Sequence, residues 1–160
     1  MAQRGGTHRA APWTDRPPGA LRSVRNWTKL TTTGIFSMVQ KRLKPVRWVS
    51  PSYEALVALP RDVQHAVGLA LMMAQSGGKH PSAKPLKGFK GAGVLEIIED
   101  HDGDTYRAVY TVRFVGVIYV LHVFQKKSKK RIETPKHVID LIKSRLKTAE
   151  RDYREREAAE

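Results

Sequence analysis

The stretch "VLEIIEDHDGDTYRAVYTVRFVGVIYVLHVF", Val94 to Phe124, decides the fold. It contains three runs rich in β-branched and aromatic residues: "VLEII" (94–98), "TYRAVYTVRF" (105–114) and "VIYVLHVF" (117–124). Such side chains fit a pleated, half-buried surface, so all three runs are strand candidates. The links "EDHDGD" and "VG" are short and turn-like, which predicts an antiparallel meander. Along the middle run, positions 105, 107, 109, 111 and 113 share one face, and 106, 108, 110 and 112 share the other. Arg107 and Arg113 therefore stand on the face opposite Tyr106 and Tyr110.

Upstream of this stretch, "PVRWV" (45–49) reads as a short first strand. Ser50 or Ser52 can then cap a helix in which Tyr53, Leu56 and Leu59 share a face. Pro60 interrupts that helix, and Asp62 opens a second one. Val63, Val67, Ala70, Leu71 and Ala74 give the second helix a one-sided apolar stripe. Gly77-Gly78 ends it. "KHPSAKPLKGFKGAG" (79–93) reads as a basic loop. Downstream, Thr134-Pro135 is an N-cap plus first-turn signal, and Val138, Ile142, Leu146 and Ala149 carry a helical stripe. The end, "ERDYREREAAE" (150–160), is charged all round and is expected to project into solvent or fray. The order β-α-α-β-β-β-α predicts a small α+β domain with its helices on one face of the sheet. On that arrangement Arg107 and Arg113 project from an open face.

Charge narrows the class of partner. The 160 residues carry a formal net charge of +14. A balance that basic favours a polyanion such as nucleic acid, an acidic protein or an anionic surface. An apolar fraction of 41% supports a core. No apolar stretch reaches the roughly 18 residues needed to span a bilayer, so no membrane partner is expected and a cytoplasmic location is. With no cysteine, disulfides and cysteine-ligated zinc are excluded. The histidines at 8, 65, 80, 101, 122 and 137 show no metal-binding spacing, and no metal is expected. Residues 1–43 are rich in Arg, Thr, Gly and Pro, and Asp15 is the only acid before Glu54. They read as a basic, disordered arm, with a domain at 44–153 and a charged tail at 154–160. Met38 is an alternative start.

After "VLHVF" come five cations within six residues: Lys126, Lys127, Lys129, Lys130 and Arg131. Such a cluster repels itself unless it faces solvent or meets an anion. The basic loop adds Lys84, Lys87 and Lys90, and the middle strand adds Arg107 and Arg113. Three chain segments thus converge cations on one surface, as a phosphate-binding cleft requires. His122, inside an apolar strand, reads as a satisfied core histidine before a catalytic one. His80 in the loop is freer to carry a proton. Glu96 alternates with Leu95 and Ile97, either as an acid–base group or as the partner of a nearby arginine. "EDHDGD" (99–104) reads as a hairpin turn and not as a calcium loop.

Taken together, "KPLKG…GVLEIIEDHDGDTYRAVYTVRF…YVLHVFQKKSKK…TPKHVIDLIKSRLKTAERDY" resembles the RelE/ParE toxin superfamily of bacterial toxin–antitoxin systems, and more closely its phage-derived, HigB-like branch. The resemblance spans roughly Lys44 to Tyr153. It rests on "YRxxY", then "LHxFxKKS", then "TP" opening the last helix. It implies a RelE-like fold, with an N-terminal helical hairpin packed on a small antiparallel sheet and a C-terminal helix. RelE-like members are ribosome-dependent endoribonucleases that cut mRNA without metal or cofactor. ParE-like members inhibit DNA gyrase. HigB-like toxins belong with the RNA-cleaving group and pair with a helix-turn-helix antitoxin.

By position, Arg107 matches the family's strand arginine. Lys126 and Lys127 occupy the slot where RelE-type enzymes place a basic catalytic residue. Lys84, Lys87, Lys90, Lys129, Lys130 and Arg113 are then RNA contacts, and His80 and Glu96 the candidates for acid and base. The sequence departs from RelE on "VLEII", where RelE carries lysines and this chain carries Glu96. The expectation is the toxin of a type II system, a metal-independent mRNA endonuclease acting on the ribosome. The alternatives are a ParE-like gyrase inhibitor and a non-catalytic RNA-binding phage accessory protein.

Overall fold

A computed structural model of the protein describes residues 13–14, 43–89, 91–126 and 134–159. The elements are β1 (Trp13–Thr14), β2 (Val46–Val49), α1 (Ser52–Val57), α2 (Arg61–Gln75), β3 (Ala83–Pro85), β4 (Val94–His101), β5 (Asp104–Thr111), β6 (Ile118–Lys126) and α3 (Lys136–Glu157). One sheet holds all the described strands, in the order β1-β2-β6-β5-β4-β3. The expected α+β class, helical hairpin, antiparallel meander and C-terminal helix are all present.

In the meander, Arg107 stands opposite Ile98 on one side and Phe124 on the other. β2 joins the far side of β6 in parallel, pairing Arg47 with Tyr119 and Trp48 with Val120. A parallel neighbour needs a long crossover, and α1, α2 and the meander supply it. β1 pairs antiparallel with the outer edge of β2. β3 lies inside the segment that reads as a loop; it is three residues long and sets Lys84 opposite Glu96. Pro85 has no N–H to give to a second neighbour, which suits an edge strand. The middle strand stops at Thr111 instead of running to Phe114. The Arg113 N–H donates to Thr111 Oγ1 at 3.2 Å, and the chain turns through Gly116 at φ +75°.

The helices occupy both faces of the sheet, not one. Tyr106, Ala108 and Tyr110 meet Leu56 of α1 and Val63, Val67 and Leu71 of α2 in one cluster that also buries Trp48 completely. Val109, Tyr119 and Leu121 form the second cluster with Val138, Ile142, Leu146 and Ala149 of α3. The second face is itself apolar and needs cover, and the α3 stripe provides it. A bulge between Val109 and Tyr110 helps, because it turns Leu121 and His122 together toward α3.

Helix starts depart from the capping expectation. Neither Ser52 nor Thr134 caps a helix with its side chain; Pro51 and Pro135 hold the N-cap positions. The Ser52 hydroxyl lies 3.1 Å from the Val120 carbonyl and so ties α1 to β6. The charged end does not fray: α3 runs to Glu157, and within it Asp152 is buried. Tyr119 donates to Asp152 at 2.7 Å, and Arg156 at 3.0 Å.

Candidate functional site

Strand register brings Lys84, Glu96 and Arg107 to one sheet face across β3, β4 and β5. Arg107 Nη1 donates to Glu96 Oε2 at 2.7 Å and to Thr134 Oγ1 at 2.8 Å. Arg107 is 5% exposed and Glu96 8%. The expectation of an open-face arginine is therefore corrected. α3 covers that face, and burying a guanidinium demands a paired counter-charge, which Glu96 supplies. Of the two readings of Glu96, the salt bridge is the one observed.

Above this floor lies a cleft of about 740 Å³. One wall is β3 and the chain after it, carrying Lys84 and Lys87; the other is the first turns of α3, carrying Lys136 and Lys143. Four predicted residues thus converge: Lys84, Lys87, Glu96 and Arg107. The sequence reading missed Lys136, Lys143 and Thr134. Positions 136 and 143 share a helix face, which is a signal of sorts, but it carries no information about which sheet face the helix takes.

The remaining candidates lie elsewhere. Lys126 ends β6 opposite Thr105, on the same sheet face as Arg107, but does not line the cleft. Lys90, Lys127, Lys129 and Lys130 lie outside the described residues. Arg113 is about half exposed and stands 4.0 Å from Glu150, away from the cleft. His80 Nδ1 accepts from the Ser82 N–H at 3.2 Å and contacts the Ser82 hydroxyl; it does not line the cleft either. His122 is held neutral. Burial, and then the adjacent Arg145 guanidinium, push its pKa down to about 4. Its Nδ1 stands 2.8 Å from Arg145 Nη1 and accepts that hydrogen bond, while its ring stacks on Phe124. This is the satisfied histidine of the sequence reading.

Two carboxylates temper the cleft's five cations: Glu96, engaged by Arg107, and Asp140, 3.8 Å from Lys143. The surplus is positive, and at low effective dielectric it favours an anion with several oxygens. Arg107 sets a fixed charge at the base, its Nη1 engaged by Glu96 and Thr134, and the lysines offer mobile point charges at the rim. Among the described residues, no group of three or more histidines and carboxylates stands close enough to hold a metal ion, and no helix is long and apolar enough to cross a membrane.

Residues 54–147 match the family described as phage derived protein Gp49-like (DUF891). The match takes in every residue that lines the cleft and leaves out β1 and β2. Neither the curated proteins nor the solved structures offered a match. With more than half of its length matched, the chain belongs to the Gp49-like family of phage-derived proteins.

Proposed function

We propose that this protein is the toxin of a type II toxin–antitoxin system, a HigB-like member of the RelE/ParE superfamily that cleaves mRNA on the ribosome without a metal. The observation that carries the reading is the cleft itself: a buried arginine on the floor, lysines on both walls, and all of them inside the family match. Membership of a phage-derived family associated with toxin–antitoxin toxins supports it.

The chemistry asks for such a cleft. When a ribose 2′-oxygen attacks the adjacent phosphorus, charge builds on the phosphorane oxygens and then on the departing 5′-oxygen. In our reading Arg107 stabilises the phosphorane by its fixed charge on the floor of the cleft, a preorganised electrostatic effect of the oxyanion-hole kind. Lys84 and Lys136 on the rim hold the flanking phosphates, and one wall lysine returns a proton to the 5′-oxygen. Glu96 is tied to Arg107 through Oε2 but also lines the cleft, and in our reading its other oxygen takes the proton of the 2′-hydroxyl. A helix-turn-helix antitoxin would silence the protein in the cytoplasm.

The test is transcriptome-wide mapping of mRNA 5′ ends after brief induction of the full chain in a bacterial host. A Lys84→Ala/Lys136→Ala variant serves as control, because both side chains are exposed and their loss leaves the core intact. New ends in phase with codons, at least tenfold fewer in the variant (roughly the 1.4 kcal/mol that one charge-assisted phosphate contact supplies), are expected. Growth arrest with no new ends would sink the nuclease reading and leave a gyrase-directed or binding role.

A further inference from the structure

Arg113 stands apart from the cleft, yet α3 links the two. Lys143 lines the cleft wall. One turn on is Lys147, exposed and in no ion pair among the described residues. Two turns on is Glu150, which accepts from Arg154 Nη2 at 2.8 Å and stands 4.0 Å from Arg113 Nη2. Positions 143, 147, 150 and 154 recur at i, i+4, i+7 and i+11, so they line one flank of the helix. At 1.5 Å per residue the step from Lys143 to Glu150 is about 10 Å.

We infer that the cleft continues along this flank as a phosphate track for single-stranded RNA, running from Lys143 over Lys147 to the Arg113–Arg154 pair at Glu150. The inference rests on the reading of the cleft as an RNA site and extends it to nucleotides outside the reacting pair. Two arginines share the one Glu150 carboxylate, which leaves that end of the track positive. The Arg113 guanidinium lies 5.9 Å from the centre of the Phe114 ring, which props it toward the flank. Phe114 itself is buried, and Tyr153 packs on the same cluster, so neither ring is free to stack a base. The track therefore grips the RNA backbone without reading its sequence. An acidic protein segment is the other polyanion to weigh. Such segments anchor through apolar side chains between their carboxylates, and between Lys143 and Arg154 no large apolar side chain of α3 is exposed. On the helix side the chemistry of the flank is charge alone, which suits phosphates; the exposed Val112 and Val115 lie on the strand side, beside Arg113.

The experiment measures fluorescence anisotropy of labelled 2′-O-methyl oligouridylates, which cannot be cleaved, with the full chain. A trinucleotide serves as the probe of the cleft alone; a dodecanucleotide is long enough to reach the track as well. The wild type is expected to hold the longer RNA about tenfold or more tightly, and Arg113→Ala/Lys147→Ala to erase most of that advantage while the salt slope flattens by about 0.7 per phosphate lost. Both substituted side chains are exposed, and circular dichroism verifies folding. An advantage for the longer RNA that survives in the variant overturns the track, and so does a wild type with no such advantage. Oligoglutamate of equal length binding as tightly, with the same loss in the variant, overturns RNA as the occupant. Length-dependent RNA binding by a protein that leaves mRNA uncut in cells supports the track and removes the nuclease reading alone.

Discussion

Arg107 is held from two sides, by the Glu96 carboxylate on β4 and by the Thr134 hydroxyl just before α3. Its side chain is 5% exposed and that of Glu96 10%. Desolvation offsets much of what an ion pair this deep gains, but breaking it is costly, because the remaining charge is left without compensation. Arg107→Ala is therefore predicted to destabilise the fold by about 3–5 kcal/mol, in addition to any effect on activity. Arg107→Met combined with Glu96→Leu, which removes both charges, should recover most of that loss. Urea unfolding of the two single variants and the double variant measures the coupling directly. An alanine variant with a wild-type midpoint would show that Glu96 does not depend on Arg107. Arg107→Lys is the variant to use for function: it keeps the charge that Glu96 needs and removes only the planar guanidinium that Glu96 and Thr134 hold in place.

At the scale of elements, α3 is the piece that makes the site. Its apolar stripe fixes it to the sheet, and three polar contacts fix its rotation and reach. Arg145 Nη1 donates to the Leu121 carbonyl at 2.8 Å and also serves His122, both at the bulge of β6. Further along, Tyr119 donates to Asp152. Burial, and then that hydrogen bond to Asp152, push the Tyr119 pKa upward, so the phenol remains a donor throughout the working range. The consequence for pH sits at His122, whose pKa falls from 6.5 to about 4 on folding. Between those values the unfolded chain binds a proton that the folded chain refuses. Stability is thus whole above pH 6.5 and is lost as pH falls toward 4. A proton NMR titration of the His122 ring in the folded protein should give a midpoint well below 6, moving upward in Arg145→Met. A His122 that titrates at its ordinary value in the wild type would contradict the burial and the Arg145 contact together.

Across the whole molecule, the sequence discloses each element better than its neighbours. Strands β4 to β6 and the stripes of α2 and α3 are legible because their periods, two for a strand and 3.6 for a helix, are physical consequences of which side is buried. A stripe says that a helix packs, not on what. Arg107 suggests an open face for the second side of β5, although Val109 and Thr111 beside it ask for cover; only the partner Glu96, eleven residues away in sequence, resolves the conflict. Lys84, Lys87 and Arg107 are legible as a group by charge, whereas Lys136 and Lys143 join them only once α3 is known to lie on that face.

The two-sided arrangement makes a prediction of its own. β5 and β6 contribute side chains to both clusters, alternate residues of the same strands serving each. Losing one cluster uncovers the backs of strands that hold the other, so neither half keeps a core alone. The chain should therefore unfold in one cooperative step. Two probes separate the faces. Trp48 reports the α1–α2 side once Trp13 and Trp27 are replaced by Phe, and far-UV circular dichroism of the described helices takes about half of its signal from α3, at 22 residues against 6 and 15 in α1 and α2. Coincident urea midpoints for the two signals are expected. If about half of the helical signal is lost at lower urea while Trp48 stays buried, α3 is a separable cover and the cleft is built only when it docks; the sheet would then have to tolerate Val109, Tyr119 and Leu121 in water, which the present packing argues against.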